Sequence, residues 1–79
     1  NPETYFSFAL PAETRVTFVI YNTMGQKVKT LVNDYMGAGT HTIKWDGTNE
    51  AGEAVSSGVY FYRVQAGASA QTKSMVLLK

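Results

Sequence analysis

Seventy-nine residues with seven basic and six acidic side chains, one histidine and no cysteine make at most one small domain, of net charge +1. Such a chain excludes disulfide staples and thiolate metal sites, and without any block of like charge it offers no footprint for nucleic acid. No apolar run approaches the ~18–20 residues that span a bilayer, no charged and then apolar leader opens the chain, and the start at Asn1-Pro2 without Met points to a piece of something longer. Stability has to come from backbone ladders and a core built on four Phe, five Tyr and one Trp. Burial of such rings contributes about 25 cal/mol per Å² before entropy is subtracted.

Tyr5–Leu10 reads as a strand with Phe6, Phe8 and Leu10 on one face, stopped by Pro11, which has no amide to give to a ladder. After the turn-like Pro11-Ala12-Glu13-Thr14, Arg15–Tyr21 alternates again, with Val16, Phe18 and Ile20 on one side and Arg15, Thr17, Val19 and Tyr21 on the other. Asn22-Thr23-Met24-Gly25 is a turn whose glycine is placed for a positive φ, and it feeds Gln26–Val32, a short strand with Val28 inward. Asn33–Gly39 holds two glycines and an aspartate, so it reads as a connection in which Tyr35 and Met36 fold back over the end of the core.

Thr40–Trp45 sets His41, Ile43 and Trp45 on one face. Asp46–Ser57 is an irregular loop with glycines at 47 and 52 and room for a very short strand at Ala54-Val55. Val59–Gln65 puts Tyr60, Tyr62 and Val64 opposite Val59, Phe61 and Arg63; Gly67–Ala70 turns, and Gln71–Leu78 is the last strand. Helical periodicity and internal repeats are both missing. Short strands with turn signals about every 8 to 12 residues predict an all-β, immunoglobulin-like antiparallel sandwich of about seven strands.

Little here resembles catalytic machinery. His41 has no second His, no Cys and no nearby carboxylate, so it reads as a half-covered strand residue and not as a base or ligand. Asp46, Asn49, Glu50 and Glu53 gather oxygens beside two glycines, but their spacing does not match a calcium loop, and an Asx-turn at Asp46-Gly47 is the simpler reading, with weak calcium binding left open. None of the serines sits in a nucleophile elbow or beside a base. Trp45, in phase with Ile43, belongs to the core, whereas Tyr5, Tyr21 and Phe61 take the opposite phase and are candidates for an exposed aromatic patch facing a protein or a glycan. No enzyme activity and no cofactor are expected.

The ordered set Asn1-Pro2, Phe6–Pro11, Tyr21–Gly25 with Lys27-Val28, Leu31-Val32, Gly39 with His41, Trp45-Asp46-Gly47, Gly52, Ser57–Arg63 and Lys73–Lys79 resembles the C-terminal sorting domain of the type IX secretion system. It is equally similar to the immunoglobulin-like domain of the flagellar hook-capping protein, which shares the Trp-Asp-Gly and Gly-x-Tyr features. The sorting resemblance implies that residues 1–79 are one C-terminal module of a larger secreted bacterial protein. It implies a secretion translocon or cell-surface protein as partner, catalytic or adhesive domains ahead of it, and a secreted or outer-membrane-surface location. Its terminal motif would be Lys73, Met75, Val76, Leu77, Leu78 and Lys79. The alternative is a carbohydrate-binding or structural accessory module of a secreted glycoside hydrolase or similar enzyme, with Tyr5, Tyr21 and Phe61 as its aromatic strip.

Overall fold

Alternating apolar and polar side chains fold six segments into antiparallel strands: β1 (Thr4–Leu10), β2 (Thr14–Tyr21), β3 (Lys27–Met36), β4 (Gly39–Trp45), β5 (Gly58–Ala66) and β6 (Ser69–Leu77). In this computed structural model residues 3–79 are described, and Asn1-Pro2, the opening of the resemblance above, lies outside the described residues. Two sheets face each other, a small one of β1 and β4 and a larger one in the order β3-β2-β5-β6. The fold is the expected immunoglobulin-like antiparallel sandwich, built from six strands.

The inward faces interlock between the sheets. Phe18, Ile20, Val28, Ile43, Trp45, Tyr60 and Leu77 form the buried cluster. Phe6 from the small sheet packs between Phe18 and Tyr62 of the large one, with ring centroids at 4.8 and 4.7 Å, and the indole of Trp45 meets Tyr60 edge-on at 5.4 Å. Tyr60, near the start of β5, donates its hydroxyl to the carbonyl of Ser56 at 2.7 Å, the tyrosine-corner arrangement of immunoglobulin-type sandwiches. Trp45 is fully buried, and its indole N–H donates to the carbonyl of Thr48 at 2.9 Å, which fixes the loop that follows.

The structure corrects the expected strand at 26–32. β3 runs on to Met36, pairing Asn33–Met36 with Thr17–Thr14, so the expected connection is strand. Register shifts between Phe18 and Val19 and between Ile20 and Tyr21 leave Leu31 and Val28 as extra residues in β3. These bulges let Val28, Leu31 and Val32 all reach the core despite their spacing. Tyr35 does not fold over the core but is 66% exposed, with the guanidinium of Arg15 over its ring at 5.8 Å. The loop strand expected at Ala54-Val55 is reduced to a single bridge, Thr48 to Ala54.

Candidate functional site

The polar residues that drew attention in the sequence hold turns together. Asp46 Oδ1 accepts from the amide of Thr48 at 3.1 Å and from its hydroxyl at 2.6 Å, while Gly47 takes a φ of 77° that a side chain would strain. Lys29 Nζ stands 3.8 Å from the same carboxylate and donates to Thr48 Oγ1 at 2.8 Å. The Thr48 hydroxyl, its amide and the Lys29 charge together hold the carboxyl of Asp46 below the usual carboxylate range. Asn49 Oδ1 accepts from the amides of Ala51 and Glu53, both at 3.0 Å, and Glu50 Oε1 accepts from the amide of Thr30. The loop oxygens thus face donors of the chain itself and do not converge on a common point. Among the described residues no three His, Asp or Glu side chains gather as a metal site would require.

His41 lies half-buried on β4 beside Phe8, with ring centroids 5.8 Å apart, and its Nε2 is 2.7 Å from the carbonyl of Gly37. It ties the β3–β4 connection. Ser7 is bonded to Thr42, and Ser57 Oγ accepts from the amide of Lys79; neither faces an acid–base group among the described residues.

The aromatic candidates divide between the two sheets. Tyr21 and Phe61 are directly opposite each other on β2 and β5, on the outer face of the large sheet. Tyr5 stands on β1, where its hydroxyl donates to Glu3 at 3.1 Å, and that bond together with Lys44 lowers the pKa of Glu3. Two of the three rings are therefore neighbours and the third belongs to the opposite sheet.

The terminal candidates divide as well. Lys73, Met75, Val76 and Leu77 belong to β6, with Leu77 buried and Val76 turned outward. Leu78 and Lys79 lie past its end against a broad cleft edged by Asp46, Thr48 and Ala54. Sequence reasoning passed over the seam between the sheets, where Tyr62, Val64, Gln71 and Lys73 floor a groove of about 250 Å³ beneath Phe6 and Phe8. Its available signal was the lack of any charged residue from Thr4 to Leu10.

With this geometry in place, the comparisons decide between the two resemblances. Residues 2–70 match the family model of the FlgD Ig-like domain. The chain belongs to that family. It is similar in structure to FlgD from P. aeruginosa, with TM-score 0.73 and 22% identity over 95% of this chain and 59% of that one. FlgD from Xanthomonas campestris gives TM-score 0.73 and 22% identity over 96% and 56%. Truncated FlgD from Helicobacter pylori strain 26695 gives 0.66 and 26% over 98% and 60%. The chain spans 56–60% of the length of these three proteins. No curated protein matches it.

The type IX sorting assignment is thereby corrected, because the family model and the matched structures are those of FlgD. Trp45-Asp46-Gly47 and Gly58-Val59-Tyr60, the features common to both resemblances, form the buried indole, the Asx-turn and the tyrosine corner, so they report the sandwich and not its use. The dependent expectations fall with it: the secretion translocon or cell-surface partner, the catalytic or adhesive parent domains, the outer-membrane-surface location and the carbohydrate-binding accessory module.

Proposed function

We propose that this domain is a non-catalytic structural module of a flagellar hook-capping protein, exported and assembled on the flagellum, where it works by protein–protein contact. The observation that carries the reading is the FlgD Ig-like family match over residues 2–70. The X. campestris relative is described as a protein of hook capping, essential for flagellar assembly. The chemistry of the chain agrees with a scaffold. The side-chain oxygens of Asp46 and Asn49 are engaged in turns, and the net charge of +1 favours no strongly charged ligand. On this reading the 79 residues are one domain of a longer chain, as the relatives are longer than the matched part.

The test is removal of the segment encoding residues 1–79 from its parent gene, with hooks scored by electron microscopy and the shortened protein followed by immunoblot. Loss of hooks with the shortened protein present is the expected outcome. Normal hooks, or a host that builds no flagellum, would overturn the reading.

A further inference from the structure

The two sheets differ in width. Immunoglobulin-type sandwiches of seven strands set three against four, whereas here β1 and β4 alone lie on four strands. Phe6 reaches both Phe18 on β2 and Tyr62 on β5, so β1 lies over the β2–β5 pair and leaves the start of β6 uncovered. Gln71 and Lys73 share the phase of Met75 and Leu77, which places them on the inner side of β6, yet both are exposed. They stand opposite Val64 and Tyr62 in the β5–β6 ladder, and these four residues floor the groove beside β1. Beyond Phe8 the groove continues for about 210 Å³ past Leu10, Ala66 and Ala70. It follows β1 toward its end.

The edges themselves point the same way. A free strand edge invites pairing with another chain, and proteins guard it with charge, bulges or a covering loop. β3 carries Lys27, Lys29 and Asp34, two register shifts, and a cover in which the amide of Glu50 donates to Val28. β4 carries Lys44, and β6 carries Lys73 turned inward. β1 alone among the edge strands has no charged residue, from Thr4 to Leu10; its pairing with β4 has no register shift, and it has no second strand partner among the described residues. Its outer edge is left as a template.

We infer that β1 docks an extended polypeptide segment from outside this domain, which pairs with its free backbone as a third strand of the small sheet. Alternate apolar side chains of that segment lie on Tyr62 and Val64, and a carboxylate of the segment meets Lys73. Strand addition of this kind draws affinity from the backbone and specificity from alternate side chains. The acidic requirement follows from charge: Lys73 has no ion pair among the described residues and is the only charged side chain lining the groove. A second copy adding its own β1 brings no carboxylate, since Thr4–Leu10 contains none. The inference stands on the fold and is independent of the hook-capping reading.

The probes are acetylated and amidated heptapeptides, the length of β1, of sequence Thr-Val-Thr-X-Thr-Val-Thr with Asp, Ser or Lys at X. Each is titrated to about 1 mM, the range in which weak strand addition registers, into the isotope-labelled domain and followed by amide chemical shifts. The expected result is saturable shifts in Thr4–Leu10 with affinity in the order Asp, Ser, Lys, the first about tenfold above the last. Lys73→Glu, at an exposed position that leaves the core intact, reverses that order. Absence of shifts in β1 with every peptide, shifts without a charge order, or dimerisation of the free domain through β1 would each overturn the assignment.

Discussion

Asn22 and Asn49 close the same turn twice. Each donates its amide to the carbonyl four residues on, Gln26 or Glu53, and accepts at its carbonyl from the glycine three residues on, Gly25 or Gly52. Each side-chain oxygen accepts from two further amides, and each Nδ2 donates to the side chain of Gln26 or Glu53. The two glycines have φ of 79° and 81°. One turn makes the β2–β3 hairpin, while the other docks on the edge of β3 through the amide of Glu50 and the carbonyl of Val28 at 3.1 Å. The two line a common cleft of about 420 Å³.

Substitution of either asparagine separates the side-chain bonds from the backbone ones. Asn49→Ala should cost about 1–2 kcal/mol, since each net hydrogen bond is worth about 1 kcal/mol and β3 loses its cover. Asn22→Ala should cost about 1 kcal/mol, because its turn covers no neighbouring edge. Asn22→Asp keeps both amide bonds and faces the neutral amide of Gln26, so it should stay close to the parent, whereas Asn49→Asp keeps its amide bonds but sets a carboxylate against that of Glu53 and should fall between the parent and Asn49→Ala. Urea midpoints at constant slope would measure all four; an alanine variant as stable as the parent would show that the turn forms without its side chain.

Trp45 ties the core to the loop that follows it. Trp45→Ala empties a fully buried site and should cost about 3–5 kcal/mol, a large share of the stability of so small a domain. Trp45→Phe keeps most of the packing on Tyr60 but leaves the Thr48 carbonyl without its indole donor, a loss of about 1–2 kcal/mol. Thermal unfolding by circular dichroism orders the three proteins, and equal loss in both variants would mean that the hydrogen bond dominates over packing.

The sandwich was legible in the sequence because Phe6-Ser7-Phe8 and Val16-Thr17-Phe18 alternate, Ile20 keeps the phase of Val16 and Phe18, and Trp45 falls in phase with Ile43. β3 was legible only to Val32. Bulges at Val28 and Leu31 break the alternation on which such a reading depends, and Asn33-Asp34 resemble a turn until Thr17 and Val16 are seen opposite them and Arg15 donating to the Asn33 side chain. The five-residue pattern shared by Asn22–Gln26 and Asn49–Glu53 was printed in the sequence, yet its meaning depends on a hydrogen-bond set that spacing alone does not reveal. The groove beside β1 was illegible for a different reason. It arises from the relative width of two sheets, which is a property of pairing and not of any one strand.

Gly67 is required by the β5–β6 hairpin. Ala66 and Ser69 pair across a two-residue loop in which Gly67 has a φ of 60° and Ala68 does not take a positive φ, the Gly-X pattern of a type II′ turn. A methyl group on Gly67 would also stand 3.0 Å from Thr14 Oγ1. Gly67→Ala should therefore destabilise by about 1–2 kcal/mol, with left-handed strain as the main term. Combining it with Thr14→Ala should recover the steric part only. If Gly67→Ala proves neutral by urea unfolding, the turn has moved to another type, which the amide shifts of Ala66–Ser69 would show.

Acid should reveal Asp46. Its carboxyl is held below the ordinary value of 3.8 first by the Thr48 hydroxyl, then by the Thr48 amide and Lys29. The folded chain therefore binds fewer protons at this site than the unfolded chain when the pH is near 3.8 and below. The resulting contribution to stability is complete above that pH and is lost as the pH falls through the lower, folded-state value. Asp46→Asn keeps an oxygen for the Thr48 donors but has no proton to gain, so its stability should vary less with pH across that window. The measurement is the urea midpoint from pH 5 down to about pH 2.5 for both proteins. Glu3, held low by the Tyr5 hydroxyl and Lys44, titrates in the same direction, so the variant should flatten the profile without levelling it. Parallel profiles for the two proteins would mean that the Thr48 hydroxyl holds the neutral acid as tightly as the carboxylate, and the turn would then owe nothing to the charge.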